Sequence, residues 1–165
     1  MTTANAKSVE NLQTALSMEM GAVHQYLLHA HVLEDWGLDK LGTRMRGEMA
    51  EEQGHLDRFT GRIVFLGGAP EMRMGKTPTP AKGLREMFEA DLADEKDAIA
   101  FYAEAARTAA AEGDIGTQRL FEDVVLDEEG HKDWLETQLG LIDRIGEANY
   151  TARYMVTKDG APDGA

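Results

Sequence analysis

The stretches EQGHLD (residues 52–57) and EEGHKD (residues 128–133) decide the fold, because they repeat one pattern in the two halves of the chain. In each stretch a glutamate precedes a histidine by three residues, which places both side chains on one helix face. A lone glutamate lies 33 residues before each stretch, Glu19 in the first half and Glu95 in the second. The equal spacing predicts a duplicated helix hairpin with pseudo-two-fold symmetry.

The apolar residues around these positions recur at the three- and four-residue spacing of a helix face that packs into a core. Glu19, for example, shares such a face with Leu16 and Val23. The same periodicity places six polar residues inside the predicted bundle: Glu19, Glu52, His55, Glu95, Glu128 and His131. Tyr26 and Tyr102 follow the lone glutamates by seven residues, and we expect their hydroxyls to reach a carboxylate.

Helical periodicity covers most of the sequence and predicts an all-α fold. Four long helices are predicted over about residues 5–36, 40–66, 80–111 and 114–145, followed by a short fifth helix over 147–156 and a flexible tail over 157–165. Thr79 and Asp114 are predicted to cap the third and fourth helices, and Gly37 is predicted to end the first. Residues 1–156 therefore form one predicted domain.

The link over residues 67–82 holds three of the four prolines and shows no clear period. Sixteen extended residues reach roughly 50 Å, whereas a helix of 28 residues is roughly 42 Å long. The link can therefore run the whole length of the bundle and leave the second and third helices parallel. The two short links instead predict antiparallel hairpins. The predicted architecture is a four-helix bundle with one long crossover.

Bulk composition narrows the classes of function. A net charge of −13 argues against a nucleic acid or an anionic membrane as partner. Because the chain has no cysteine, disulfides, thiolate zinc sites and cysteine-bound iron–sulfur centres are excluded. The sequence has no apolar run long enough for a bilayer and no signal-peptide pattern at its start, so we expect a cytoplasmic protein.

Four carboxylates in a bundle core are costly when they are ionised and unpaired. No lysine or arginine shares their helix faces, whereas two divalent cations would balance their charge. One glutamate from each of two helices, with Glu-x-x-His from each of two others, is the ligand set of di-iron and di-manganese bundles. The sequence therefore predicts a di-metal centre. Gly54 and Gly130, each directly before a histidine, predict a local need for space.

The sequence closely resembles the bacterioferritins over about residues 8–154. The clearest stretches are GAVHQYLLHA (residues 21–30), RIVFLGGAP (residues 62–70) and LDEEGHKDWLETQL (residues 126–139). The resemblance implies a ferritin-like fold and a di-iron ferroxidase centre with Glu19, His55, Glu95 and His131 as terminal ligands, Glu52 and Glu128 as bridges, and Tyr26 beside the site. It also implies a homo-oligomeric cage of 24 subunits that stores ferric oxyhydroxide.

One position departs from the family pattern. Bacterioferritins bind haem b between subunits through a methionine directly after the first bridging glutamate, and Gln53 stands there in this chain. Because an amide is a poor substitute for a thioether on haem iron, we expect a homo-oligomer to bind haem weakly or not at all. Mixed cages with a haem-binding paralogous subunit stay open. Family members often carry a further inner iron site on the second helix, and at that site this chain has Gly47 in place of a histidine, which leaves Glu51 as the one usable ligand.

Three interpretations follow from these patterns. The leading one is a ferroxidase that oxidises Fe²⁺ with O2 or H2O2, with Tyr26 among its catalytic residues, and stores the ferric product in its cage. The second is a non-storing di-metal oxidase or peroxidase, or a manganese catalase-like enzyme. The third is a structural bundle without chemistry, in which replacing Glu52 and Glu128 leaves iron oxidation unchanged. The size of the assembly separates the first two interpretations.

Overall fold

The computed structural model describes residues 5–155, and its regular structure there is helical. The helices are α1 (Ala6–Asp35), α2 (Asp39–Phe65), α3 (Leu84–Ala111), α4 (Ile115–Ile145) and α5 (Glu147–Ala152). Helix α1 packs along α2, and α3 packs along α4, so both predicted hairpins are present. The predicted all-α bundle of four long helices and a short fifth is confirmed. The predicted domain end at residue 156 and the tail over 157–165 lie outside the described residues.

The two hairpin turns are built alike, at positions that the repeat relates. Gly37 (φ 77°) and Gly113 (φ 73°) adopt the left-handed backbone conformation that closes a helix. In each turn, the residue after the glycine donates its amide to a carbonyl near the helix end, as Leu38 does to Leu33 at 2.8 Å. The duplication therefore extends from the ligand pattern to the turns, and the predicted end of α1 at Gly37 is confirmed.

The crossover between α2 and α3 lies along α1 and runs in the same direction. Near its start, the side chain of Gln13 bonds both the amide and the carbonyl of Glu71. Near its end, Gln25 holds Thr79 in the same way. The crossover therefore follows α1 toward the end where α2 begins, and α3 starts there. Helices α2 and α3 run parallel, as the length of the link predicts.

The start of the third helix differs from the prediction. The sequence predicts a cap at Thr79 and a first residue at Pro80, but the helix begins at Leu84. The amide of Thr79 donates to the Gln25 side chain, and the Thr79 carbonyl accepts from it, each at 3.0 Å. This contact holds the segment against α1 and overrides the local capping pattern. The short fifth helix also ends earlier than predicted, at Ala152.

Two apolar clusters fill the bundle, one toward each end. The first includes Leu33, Leu41, Phe88, Leu135 and Tyr150, and the second includes Leu12, Phe59, Ile63, Phe121 and Val124. On α1, Glu19 lies between Leu16 of the second cluster and Tyr26 of the first. The polar residues of the repeat therefore lie between two apolar clusters, and the burial of these clusters drives the packing of the helices.

An ion pair joins α2 to the start of α4. The Asp114 side chain accepts from the amide of Thr117 at 3.0 Å and caps the helix, as predicted. It also bonds Arg62 of α2 at 2.5 Å. The Arg62 guanidinium fills the space where a Cβ at Gly116 would stand. Asp114 is buried, so one carboxylate serves both as a helix cap and as the partner of a charge.

Replacing Asp114 by alanine is expected to destabilise the fold by about 2–4 kcal/mol, because α4 loses its cap and Arg62 loses its partner. The thermal unfolding midpoint at fixed protein concentration measures the loss. Asp143→Ala is the matched control, because Asp143 pairs with Arg85 on the surface, and such pairs contribute about 0–1 kcal/mol. Equal midpoints for the two variants would contradict the double role of Asp114.

Candidate metal centre

The six polar residues of the repeat meet in the middle of the bundle, and all of them are buried. Their ligand atoms form two groups, each within 4.8 Å: Glu19, Glu52, His55 and Glu128 in the first, and Glu52, Glu95, Glu128 and His131 in the second. Glu52 and Glu128, one from each hairpin, belong to both groups. The structure thus brings together every residue that the sequence predicts as a ligand.

The Nδ1 atoms of both histidines face the two shared carboxylates. His55 Nδ1 lies 3.0 Å from Glu52 Oε2 and 3.4 Å from Glu128 Oε1. His131 Nδ1 lies 3.3 Å from Glu52 Oε1 and 3.1 Å from Glu128 Oε2. Each shared carboxylate therefore directs one oxygen toward each histidine, which is the geometry that a carboxylate needs to bridge two ions.

The two remaining glutamates flank the centre. Glu19 Oε1 and Glu95 Oε1 each lie 3.7–3.8 Å from Nδ1 of the nearer histidine. Their carboxylates are held by the two tyrosines of the repeat, as predicted. Tyr102 donates its hydroxyl to Glu19 Oε1 at 2.5 Å, and Tyr26 donates its hydroxyl to Glu95 Oε1. Each tyrosine thus bonds the lone glutamate of the other hairpin.

The outward-facing Nε2 atoms of the histidines lie beside further carboxylates. His55 Nε2 lies 3.2 Å from Asp127 Oδ2. His131 Nε2 lies 2.9 Å from Glu51 Oε2 and 2.8 Å from Glu48 Oε2. A carboxylate on the far nitrogen fixes the orientation of the ring and makes the near nitrogen a better metal ligand. The outer partners therefore prepare both imidazoles to bind a metal through Nδ1.

Glu48 breaks the symmetry of the centre. The repeat places Val124 at the equivalent position of the second hairpin, so only His131 has a buried carboxylate beside its Nε2 atom. Glu48 is itself paired with the guanidinium of Arg44, one turn earlier on α2. The two halves of the centre therefore share their inner ligands but differ in the groups behind them.

Glu48, Glu51 and His131 form a third group whose ligand atoms lie within 4.8 Å of one another. The family pattern indicates only Glu51 in this region, because Gly47 has no side chain to contribute. Glu48 is absent from the predicted ligands, although a position four residues before the first shared glutamate lies on the same helix face. Helical spacing alone could therefore have found this residue.

Burial and neighbouring charges shift the pKa values of these carboxylates in different directions. Burial raises the pKa of Glu19 well above its ordinary value, and the nearby charge of Glu52 raises it further. Burial also raises the pKa of Glu95, to about 8. Burial acts in the same direction on Glu52, but hydrogen bonds from His131 and His55 outweigh it and lower its pKa to about 2. Burial therefore favours the protonated forms of Glu19 and Glu95, whereas the histidine hydrogen bonds favour the ionised form of Glu52.

The two histidines hold protons as well. Burial lowers the pKa of His55, but hydrogen bonds to Glu128 and Glu52 outweigh it and raise the pKa to about 10. Hydrogen bonds to Glu128 and Glu48 likewise raise the pKa of His131 against the effect of burial. Without metal, protons on the two histidines and the two lone glutamates are therefore favoured, and they reduce the net negative charge of the centre. Metal binding has to displace them.

A cavity of about 290 Å³ connects the centre with the surface between α1, α3 and the crossover. Its inner part is lined by Glu19, Glu52, Glu95, Glu128, Tyr26 and Tyr102, and its outer part by Gln25, Lys76, Asp94 and Asp97. Lys76 and Asp94 form an exposed ion pair at 2.6 Å. Carboxylates therefore line the cavity from its outer part to the centre.

Gly54 and Gly130 do not relieve crowding within the chain. A Cβ at either position would meet no atom within 4 Å, apart from its chain neighbours and the helix's own backbone. Both glycines lie on exposed positions of their helices, whereas the ligands beside them are buried. The predicted need for space at these positions is therefore wrong as far as this chain's own packing is concerned.

Comparison with known proteins places the chain among characterised relatives. Residues 9–145 match the ferritin-like domain family. The bacterioferritin of Rhodobacter capsulatus is 41% identical over 157 residues, which cover 95% of this chain and 98% of the relative. The bacterioferritin of Brucella melitensis biotype 1 is 42% identical over 144 residues, which cover 87% and 89% of the two chains. The crystal structure of the Rhodobacter capsulatus protein matches with a TM-score of 0.91 at 42% identity, covering 94% of this chain and 98% of that one.

The crossover bundle and its buried carboxylate–histidine centre define a ferritin-like protein. The chain belongs to the bacterioferritin family. This membership confirms the predicted fold and resemblance, and with them the predicted function in iron storage. Nothing in residues 5–155 favours the non-storing alternative.

None of the helices in that range combines the length and the apolar character that a membrane span requires.

The residue at the family's haem position departs from the family pattern, whereas the predicted metal ligands match it. The solved Rhodobacter capsulatus structure is described with a metal-free dinuclear site and a haem iron. In this chain, Gln53 is exposed on α2 and offers only an amide. Met49, one turn earlier, is partly buried and packs against the first apolar cluster. The described side chains therefore do not fit a haem ligated by methionine at this position.

Loading the centre with Zn²⁺ at pH 7 is expected to release protons, because the metal binds the deprotonated forms of His55, His131, Glu19 and Glu95, and the pKa of each of these groups is raised in the empty centre. Binding therefore strengthens as the pH rises, because fewer protons have to be displaced. Calorimetric titration in buffers of different ionisation enthalpy counts the protons. The exposed variant Asp143→Asn should leave the count unchanged, and a count near zero in the native chain would contradict these protonation states.

Proposed function

We propose that this chain is a ferroxidase that binds two Fe²⁺ per subunit, oxidises them with O2 or H2O2, and stores the ferric product inside an oligomeric cage. The observation that carries the proposal is the pair of buried ligand groups that share Glu52 and Glu128. Two ions held by common carboxylates lie close enough to act on one oxidant. Carboxylate and imidazole ligands without thiolate suit iron or manganese.

Each substrate ion takes one lone glutamate and one histidine besides the two bridges. Glu19 and His55 hold the first ion. Glu95 and His131 hold the second. When both are bound, the two ferrous ions supply two electrons to the oxidant. The chain supplies orientation, because the carboxylates behind the histidines fix both rings. Tyr26 donates its hydroxyl to Glu95 and so positions that ligand, and this contact also places Tyr26 beside the iron pair as a proposed catalytic residue.

Ferrous ions are proposed to reach the centre through the cavity beside the crossover. Asp91, Asp94 and Asp97 line it on α3, and Lys76 reaches it from the crossover. A recess lined by one sign of charge raises the local concentration of counter-ions. The acidic lining therefore favours divalent cations over anions along this path, whereas the Lys76 ammonium partly offsets it near the surface.

The proposed cage is a homo-oligomer of 24 subunits that holds ferric oxyhydroxide. The surface supports assembly, because Phe65 is 75% exposed and Ile115 is 76% exposed in the single chain, with Leu126 also largely exposed. Large apolar side chains of this kind gain stability when a second subunit covers them. Mixed cages with a haem-binding paralogous subunit and a cytoplasmic location stay predictions.

Anaerobic titration with Fe²⁺ followed by air is expected to give a diferric absorbance that saturates at about two irons per chain. Glu52→Gln combined with Glu128→Gln removes both bridges and is expected to abolish the saturable phase. Glu129→Gln is the matched control, because Glu129 neighbours a bridge but is exposed. Saturation at zero in the native chain would reject the centre, and elution as a dimer from gel filtration would reject the cage.

Gln53→Met is expected to raise the haem b content of the assembled protein well above that of the native chain, because it supplies a thioether at the family's haem position. Haem reconstitution followed by absorbance and magnetic circular dichroism measures the change. Gln53→Leu is the control, since it adds apolar bulk without sulfur. Equally tight haem binding by the native chain, with the spectrum of methionine ligation, would contradict the assignment.

A further inference from the structure

Tyr102 is a second buried phenol in direct contact with the centre. Tyr102 lies on α3 and is 1% exposed, and its hydroxyl donates to Glu19 Oε1 at 2.5 Å. Tyr26 on α1 makes the mirrored contact to Glu95. Both phenols also line the cavity that reaches the centre. The repeat therefore places one oxidisable phenol on each side of the proposed iron pair, each bonded to a carboxylate ligand.

The electron balance of O2 reduction indicates a role for this pair of phenols. Reduction of O2 to two water molecules takes four electrons and four protons, and two Fe²⁺ supply only two of the electrons. A phenol supplies one electron and one proton when its O–H bond breaks and it becomes a phenoxyl radical. Two phenols beside the centre therefore provide the two missing electrons without an external reductant.

We propose that Tyr102 is redox-active and donates one electron and one proton during the reduction of O2, alongside Tyr26 on the opposite side. The inference rests on the proposed ferroxidase function. In the balanced reaction, one O2, two Fe²⁺, two phenols and two solvent protons give two Fe³⁺, two phenoxyl radicals and two waters. The proton of Tyr102 passes to Glu19, its hydrogen-bond acceptor, and is consumed in forming water.

The surroundings of Tyr102 favour a long-lived radical. Its ring packs against Phe59 at 5.7 Å, Phe101 at 5.7 Å and Phe121 at 5.9 Å between centroids. Phenylalanine rings are harder to oxidise than a phenol, so these neighbours do not pass on the missing electron. The ring is also buried away from solvent reductants. An oxidised Tyr102 should therefore persist long enough to be trapped by rapid freezing.

A purely structural role is the competing explanation, in which Tyr102 only orients Glu19. Tyrosine-to-phenylalanine variants remove the hydroxyl in both cases, so the rate of iron oxidation does not separate the two roles. A radical located on the Tyr102 ring does separate them. The chain has four tyrosines. Tyr150 is the matched control, because it is also buried but bonds Gln138 and does not line the cavity.

The experiment uses the assembled protein, loaded anaerobically with two Fe²⁺ per chain, mixed with O2 and frozen within the reaction. Electron paramagnetic resonance on protein with ring-deuterated tyrosine identifies tyrosyl radicals. In Tyr26→Phe we expect a tyrosyl signal that disappears when Tyr102→Phe is added and persists when Tyr150→Phe is added instead. A signal that is absent from Tyr26→Phe, or equal with and without Tyr102→Phe, would overturn the inference.

A second measurement keeps the test decisive if Tyr26→Phe fails to assemble. Tyr102→Phe alone should then lose about half of the native radical signal, because one of two donors is gone. Release of H2O2 should also rise from the native chain to Tyr102→Phe, since O2 then receives fewer electrons. Unchanged signal and unchanged peroxide would overturn the inference. Diferric absorbance in every variant without a Tyr102 radical removes only this inference, whereas its absence from the native chain removes the proposed function as well.

Discussion

Charge balance among four buried carboxylates governs the middle of this bundle. Glu19, Glu52, Glu95 and Glu128 lie between two apolar clusters, where an uncompensated negative charge is costly. The raised pKa values of two histidines and two of the glutamates favour protons there, and two divalent cations would supply compensating charge at the same place. Protons and metal ions therefore compete for the same place. That competition connects the stability of the empty centre with metal binding. The protons that reduce the negative charge of the empty centre have to leave when metal binds.

The duplicated hairpin explains how so many polar groups came to one place. Each hairpin contributes a lone glutamate, a shared glutamate and a histidine, and the crossover brings the two hairpins together with their centres at the same level. The turns at Gly37 and Gly113 repeat the same backbone geometry. The symmetry is nevertheless incomplete, since Glu48 stands behind His131 and Val124 occupies the matching position in the other half. The inner ligands follow the duplication, whereas the groups behind them have diverged.

Most of the fold and the ligand set could be predicted because both depend on local spacing. Helical periodicity fixes which face turns inward, and the recurrence of a glutamate 33 residues before each Glu-x-x-His stretch fixes the partners. The failure at the start of α3 has a tertiary cause. Residues before α3 look like a capped helix start, yet Gln25 holds Thr79 in an extended segment, and no local pattern reveals that contact. Glu48 lies outside the repeat, since Val124 occupies the matching position, so the repeat does not indicate this residue although its helical spacing does. The glycines before the histidines suggested crowding, but their side of the helix is open within the chain.

The sharing of ligands between hairpins has a mechanical side. The first group takes Glu128 from the far hairpin, and the second takes Glu52 in return. Away from the centre, the seam between the hairpins is closed mainly by apolar side chains, which have no preferred bond direction. Ions bound there would be directional cross-links between the halves of each subunit, and they would stabilise the loaded state by mass action. A subunit with a filled centre would therefore resist the separation of its two hairpins more strongly than a subunit with an empty one.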